Sequence, residues 1–356
     1  MKLRLFVPNI IEMTSKIVIF KNDRIGDLIP SVPAINLIID KNKDKKIVIY
    51  LSEINYKMKF LFDKKNVEVI SVKYKLSLKN RICIFYFFFR TKISKVYILR
   101  PKNFFFLLPL VFFFKKIKFN GLCLDGTNNY KRPNNFLRKF LTKFVINDRG
   151  TLKKRISREM LQLNLVNNDS KIFLEENYDF NLSSILKKIL PSNYCLIHYK
   201  KIIFEDLGWG RDGLNKIINE ILKYYQNVVL INDIEPSNDN IFFKKEYNWY
   251  DFKKEKYEKN NSKILYLENI DGQDLFNAIK FSKKTIACHG TITLLGNLTK
   301  VPILDMFYCK IKNKDDYHRY KNSFHEHMPN HNNYDFIIPN KNINKTIQKM
   351  KFSLKK

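Results

Sequence analysis

The sequence predicts an α/β protein made of two Rossmann-like α/β/α domains in tandem, facing each other across a cleft. Short β-branched runs alternate with longer helical stretches in both halves of the chain, the pattern of parallel sheets covered by helices. The runs are apolar along their length, which suits strands buried on both faces. A length of 356 residues, at about 150 per domain, calls for about two cores. Hydrophobic residues make up 45% of the chain, ample to fill them and inconsistent with global disorder.

In the first half the predicted strands are KIVIF (Lys16–Phe20), KIVIYL (Lys46–Leu51), VEVISV (Val67–Val72) and KVYIL (Lys95–Leu99), with a weaker one at KIKFN (Lys116–Asn120). Helices are expected over Pro30–Ile39 and over the phenylalanine-rich Phe104–Phe114. The second half repeats the theme with YCLIHY (Tyr194–Tyr199), NVVLIN (Asn227–Asn232), KILYL (Lys263–Leu267), TIAC (Thr285–Cys288) and PILDMF (Pro302–Phe307). Helices fall at Leu214–Tyr225, Leu275–Phe281 and Thr291–Leu298, and Ile343–Leu354 reads as a basic amphipathic helix. Polar, asparagine-rich sequence from Asn167 to Pro191 is the linker candidate. The expected division is residues 1–170, a linker at 171–192, a second domain at 193–340 and the basic helix at 341–356. Two such domains bind ligands at the carboxyl ends of their strands.

Lysine and arginine total 65 against 34 acids, a formal charge of +31. Such a surface favours phosphate-rich partners: a nucleotide, anionic lipid or nucleic acid. No recognised nucleic-acid motif accompanies the charge, which is spread through both halves. The five cysteines are scattered without a C-x-x-C pair, excluding a disulfide framework and a cysteine zinc site and suiting a reducing compartment. The first residues carry no long apolar core or cleavage site, so no secretory signal is expected. Phe104–Phe114 is about half a bilayer span and contains Pro109. It suits a core helix or one touching a membrane face.

The most informative segment is VIFKNDRIGDLIPSVPAINLII (Val18–Ile39). A strand runs into a polar turn with Asp23, Arg24, Gly26 and Asp27, and a helix follows with Pro30 and Pro33 in its opening turns, where the missing N–H is tolerated. Gly26 suits a tight turn. Asp27 then stands at a helix N-terminus, either as the cap or as an ionised carboxylate available to accept a proton. In the second half, His289-Gly290-Thr291 joins a strand end to a helix N-terminus, where free N–H groups suit a diphosphate. A Cys288–His289 nucleophilic pair is disfavoured, because neighbouring strand residues point to opposite faces. His318, His325, His327 and His331 cluster with Glu326, but their spacing matches no standard zinc site, and no metal is expected. Walker and G-x-G-x-x-G motifs are absent, against a P-loop or dinucleotide enzyme.

GDLIPSVPAINLI, with Arg24, Gly26, Asp27 and Pro33 in place, resembles the opening signature of glycosyltransferase family 9, the ADP-heptose:lipopolysaccharide heptosyltransferases. Further similar segments follow in order: KVYILRPKNFFFLLPLVFFFKKIKFNG, REMLQLNLVN, LIHYKKIIFEDLGWGRDGLNKIINEIL and TIACHGTITLLGNLTKVPILDMF. The resemblance spans roughly residues 16–307 at low identity. It implies a GT-B architecture, with acceptor bound by the first domain and nucleotide sugar by the second. It assigns Asp27 as the catalytic base, with Asp23, Arg24 and Gly26 beside it on the acceptor side. The expected donor side comprises Lys200, Lys201, Trp209 and Arg211 of the second-domain loop and helix, together with His289, Gly290 and Thr291, read from their own strand-end and helix-start chemistry, and Thr293.

The chain departs from the family where Cys288 and His289 replace an Asp-Thr pair before the glycine, and where Thr293 replaces a later histidine. The lysine expected just before the tryptophan is missing, leaving Lys200 or Lys201 as nearest. The implied activity is inverting, metal-independent sugar transfer from a nucleotide sugar, heptose or another, to a lipopolysaccharide or surface-glycan acceptor. No cofactor is implied. The implied place is cytoplasmic, with transient contact to the anionic inner membrane face. A non-catalytic relative binding glycan or nucleotide, and a basic nucleic-acid-binding protein, remain as alternatives.

Overall fold

The computed structural model describes residues 15–99, 104–124, 139–147, 158–167, 178, 180–232, 238–308 and 333–355. The chain divides into two compact units, Met1–Leu174 and Glu175–Lys356.

The first unit is built on strands β1 (Lys16–Lys21), β2 (Ile47–Ser52), β3 (Val67–Val72), β4 (Ile93–Ile98), β5 (Lys118–Leu124) and β6 (Lys143–Asn147). All pairs are parallel, in the order β3-β2-β1-β4-β5-β6. β1 is flanked by β2 and β4, so the winding direction reverses beside it; such a switch point is where ligands of open α/β sheets bind. β1 and β2 are buried along nearly their whole length, as central strands must be, whereas the edge strand β3 is only partly covered.

Behind β1 the chain forms a short helix α1 (Ile25–Leu28), a 3₁₀ turn (Ile29–Ser31) and α2 (Val32–Asp40). Pro30 and Pro33 each fall at a first or second helical position. The expected single helix over Pro30–Ile39 is therefore interrupted at its start, because each proline forbids a hydrogen bond to the preceding turn. Helix α3 (Leu78–Arg90) packs Ile84 and Phe88 into a core with Phe20, which stacks on Tyr50 at 5.0 Å. α4 (Phe104–Phe113) covers the same core with Leu110 and Val111, and Pro109 lies inside the helix. Beneath the other face, Ala34 and Leu37 of α2 meet Leu163 of α5 (Arg158–Val166).

The second unit opens with α6 (Ser184–Ile189), inside the stretch expected to be a linker. Ser183 caps it, accepting from the Leu186 amide at 3.3 Å, and Leu186 and Ile189 are buried. Tyr178 and Phe180 set their rings against Phe276 at 5.9 and 5.5 Å. Asn181 is exposed, while Leu186 and Ile189 anchor the segment.

Strands β7 (Tyr194–Tyr199), β8 (Asn227–Asn232), β9 (Asn248–Asp251), β10 (Lys256–Glu258), β11 (Ile264–Glu268), β12 (Lys284–Cys288), β13 (Ile303–Met306) and β14 (Tyr334–Ile337) form the second sheet. Their order is β10-β9-β11-β8-β7-β12-β13-β14, parallel except for β10 against β9. β7 occupies the switch point, with β8 on one side and β12 on the other. Helices α7 (Lys201–Asp206), α8 (Gly210–Ile221), α9 (Asn238–Glu246), α10 (Gly272–Lys280) and α11 (Thr291–Thr299) connect them.

The last helix, α12 (Ile343–Leu354), is basic on its exposed side yet buries Met350 and Leu354 in the core of this unit. Lys284 donates to the backbone oxygen and hydroxyl of Ser353. The segment expected as a separate basic helix at 341–356 is thus an integral layer of the second unit.

Candidate functional site

In the first unit the site residues sit on the loop leaving β1. Lys21 and Asp23 are both buried, and their Nζ and Oδ2 atoms lie 2.7 Å apart. Lys21 also donates to the Leu99 oxygen at 3.2 Å, and Asn55 donates to the Lys21 oxygen at 2.9 Å. Ser52 holds the Asp23 carbonyl. The ends of β1, β2 and β4 are thereby laced together, and Asp23 braces the loop instead of projecting from it.

Arg24 is exposed and occupies the N-cap position of α1 in an extended conformation, with no side-chain cap bond. Asp27 is the third helical residue, half-buried, and its amide bonds to the Arg24 oxygen at 3.0 Å. Asp27 is therefore not the cap of this helix. It places a carboxylate in the first turn, where the helix end favours negative charge. Gly26 lies within α1 with negative φ, so it serves no left-handed turn.

In the second unit, the predicted cations gather around a residue the motif does not contain. Asp239, nearly buried at the start of α9, accepts from the Tyr199 hydroxyl at 3.1 Å. Its oxygens lie 3.7 Å from Lys201 Nζ and 3.8 Å from Arg211 Nε. Lys201 also approaches Glu205 at 3.7 Å, and the Arg211 guanidinium lies over the Phe242 ring at 4.7 Å. Burial and the Asp239 charge push the Tyr199 phenol well above its ordinary range, so it remains a donor. Lys200 occupies the N-cap position of α7 and makes no ion pair among the described residues.

Trp209 does not line this cluster. Its indole is buried, packs edge-on against Phe204 at 5.5 Å, and donates to the Asn340 and Lys341 oxygens at 3.1 and 2.9 Å. A side chain at Gly213 would meet Trp209 Cβ at 2.4 Å, so the tryptophan belongs to the packing that ties α8 to the approach of α12. The assignment of Trp209 to the donor is corrected accordingly.

At the end of β12 a buried carboxylate gathers three side chains. His289 Nδ1 lies 2.6 Å from Oδ2 of Asp305, a β13 carboxylate with no solvent exposure. The same Oδ2 accepts from the Tyr334 hydroxyl at 2.8 Å, and Oδ1 accepts from the Thr293 hydroxyl at 3.1 Å. The imidazole packs edge-on against Phe307 at 4.2 Å. With Nδ1–H directed at the carboxylate, Nε2 is the ring's remaining polar atom. Thr293 is fully buried, so it supports Asp305 and is not a direct donor contact.

Gly290 follows with φ +151° and ψ −142°, a conformation open to glycine alone, and α11 starts behind it without a side-chain cap. Cys288 points away into the core, its thiol against the His198 oxygen at 3.4 Å. His318, His325, Glu326, His327 and His331 lie outside the described residues.

Asp305 and Asp239 carry the signal that sequence reading passes over: an acid within an apolar strand or beside predicted cations needs internal partners. Only strand pairing, with Ala287 opposite Asp305, brings that acid beneath His289.

No family model matches the chain, and no curated protein matches it. Solved structures do. A glycosyl transferase family 9 protein from Veillonella parvula DSM 2008 aligns over 97% of this chain and 99% of its own, with TM-score 0.65 and 12% identity. The E. coli ADP-heptose lps heptosyltransferase II aligns over 95% and 98%, with TM-score 0.60 and 12% identity. The E. coli heptosyltransferase WaaC, solved with ADP, aligns over 95% and 99%, with TM-score 0.59 and 10% identity. The chain therefore shares the two-domain α/β fold, of GT-B type, seen in these structures.

Proposed function

We propose that this chain is an inverting, metal-independent glycosyltransferase that moves a sugar from a nucleotide-sugar donor to a lipopolysaccharide or other surface-glycan acceptor. The observation that carries the reading is the placement of the R-x-G-D segment. It leaves the carboxyl end of the central strand at the switch point, with Asp27 half-buried in the first helical turn behind a braced loop. The fold shared with heptosyltransferases supports it.

In the proposed reaction Asp27 takes the proton of an acceptor hydroxyl as that oxygen attacks the anomeric carbon. The bond from the anomeric carbon to the phosphate oxygen breaks, and the nucleoside diphosphate departs with the electron pair. Arg24, exposed beside Asp27, contacts the acceptor. The second unit receives the developing diphosphate charge through His289, the amides at Gly290 and Thr291, and the cations Lys200, Lys201 and Arg211. Asp305 acts through His289 as a positioning residue, as Asp239 acts on Lys201 and Arg211. These groups supply positive charge without a metal, and no cofactor enters.

A panel of nucleoside diphosphate sugars scored by thermal shift tests the reading, since a ligand at 100 times its Kd stabilises by about 2.7 kcal/mol. One member should raise the melting temperature. Asp27→Asn should then leave melting and donor binding unchanged while turnover falls about a hundredfold or more. Absence of any stabilising nucleotide sugar, or full turnover in Asp27→Asn, would overturn it.

A further inference from the structure

Helix α3 is apolar on two faces. Ile84 and Phe88, 1% and 2% exposed, complete the core of the first unit. Leu78, Ile82, Tyr86 and Phe89 form a second stripe along the helix and remain 73%, 61%, 59% and 61% exposed. Ile82, Tyr86 and Phe89 of this stripe, with Phe85 and with Pro109 and Leu110 of α4, wall a groove of about 610 Å³. Phe113, at the end of α4, is 69% exposed. A continuous apolar surface of this kind is not needed for folding and marks a site of contact.

Its charge identifies the partner. From Val69 to Leu124 the chain carries 12 lysines and arginines and no acid. Arg81 lines the groove, and Arg90 lies over the Tyr86 ring at 5.4 Å while donating to its hydroxyl at 3.0 Å. Long cationic side chains beside exposed aromatics are the arrangement that lets apolar tips enter hydrocarbon while the charges meet headgroup phosphates. A second copy is a poor occupant, because a two-fold contact would oppose this acid-free segment to itself. No helix among the described residues is long and apolar enough to cross a membrane.

We propose that the α3–α4 groove is a docking face for an anionic phospholipid bilayer, entered by Ile82, Phe89 and Phe113 and held by the surrounding cations. The proposal stands on its own residues and not on sugar transfer, and its test uses no nucleotide.

The full chain is floated with vesicles of phosphatidylglycerol and phosphatidylcholine, or of phosphatidylcholine alone. Wild type should bind the anionic vesicles at least tenfold more tightly than the neutral ones. The triple variant Ile82→Gln/Phe89→Gln/Phe113→Gln should lose at least tenfold on the anionic vesicles with an unchanged melting temperature. If the triple variant does not fold, Phe89→Gln and Phe113→Gln are measured singly, each expected to weaken binding about threefold. Undiminished vesicle binding by the folded variants would mean that charge alone suffices, and would overturn the proposal. So would light scattering that shows a wild-type dimer dissociated by the same substitutions, since the groove would then hold a second copy.

Discussion

A carboxylate shut off from solvent must find its partners inside the protein, and Asp305 finds three: His289, Thr293 and Tyr334. Asp305→Ala would strand three donors at once, a loss on the order of 3 kcal/mol, measurable by urea unfolding. His289 is different, because its ring reaches solvent and its backbone is secured independently by the bond from its amide to the Met306 oxygen at 3.3 Å. His289→Ala is expected to leave unfolding nearly unchanged and to weaken nucleoside diphosphate binding about tenfold, the size of one charge-assisted hydrogen bond. Titration calorimetry with the diphosphate of the best donor checks it. The motif locates His289, since a strand end, a glycine and a helix start are local. Asp305 lies sixteen positions away in PILDMF, and nothing local pairs it with the histidine. Trp209, given to the donor by the family resemblance, spends its indole N–H on backbone oxygens more than a hundred residues away.

At the scale of elements, the decisive joint is the turn from β12 into α11. Gly290 has room for a side chain, since the nearest atom to an added Cβ is the Cys288 oxygen at 3.9 Å. Its φ of +151° is the obstacle. Gly290→Ala should therefore cost about 1–3 kcal/mol through the backbone alone and pull the first amides of α11 away from any bound anion. Paired melting curves with and without nucleoside diphosphate check both effects. The buried strands are legible in the sequence because β-branched runs between polar turns need no distant information. β6, β9, β10 and β14 are not, being short and mixed in composition. Their strand character comes from a neighbouring edge that offers hydrogen bonds. Helix α3 hides for another reason. Its FYFFF run breaks the one-sided pattern of a surface helix, because one face serves the core and the other remains exposed.

For the whole molecule, each unit is its own cooperative layer of sheet and helices, and the second includes the end of the chain. Met350 and Leu354 are buried against its sheet, Lys284 is tied to Ser353, and Trp209 to the strand of backbone just before α12. Truncation after Lys341 should abolish the thermal transition of the second unit in calorimetry and retain that of the first, because it removes buried side chains and strands a buried lysine. A basic composition says little about this: the lysines of α12 lie on its outer side, and its apolar residues decide where it goes. The charge of +31 is uninformative as a total. It becomes informative in the acid-free stretch around α3 and α4, where it coincides with exposed aromatics.

The alternation of buried strands with helices, the opening R-x-G-D turn behind the first strand, and the glycine at the start of α11 are written in neighbouring residues, because strand propensity, proline and glycine act over a few positions. The placement of β1 and β7 at their switch points, the acids under His289 and beside Lys201, and the absorption of α12 into the second core came from tertiary contacts alone. Each rests on partners far apart in the chain, whose energy exists only once burial has removed water from between them.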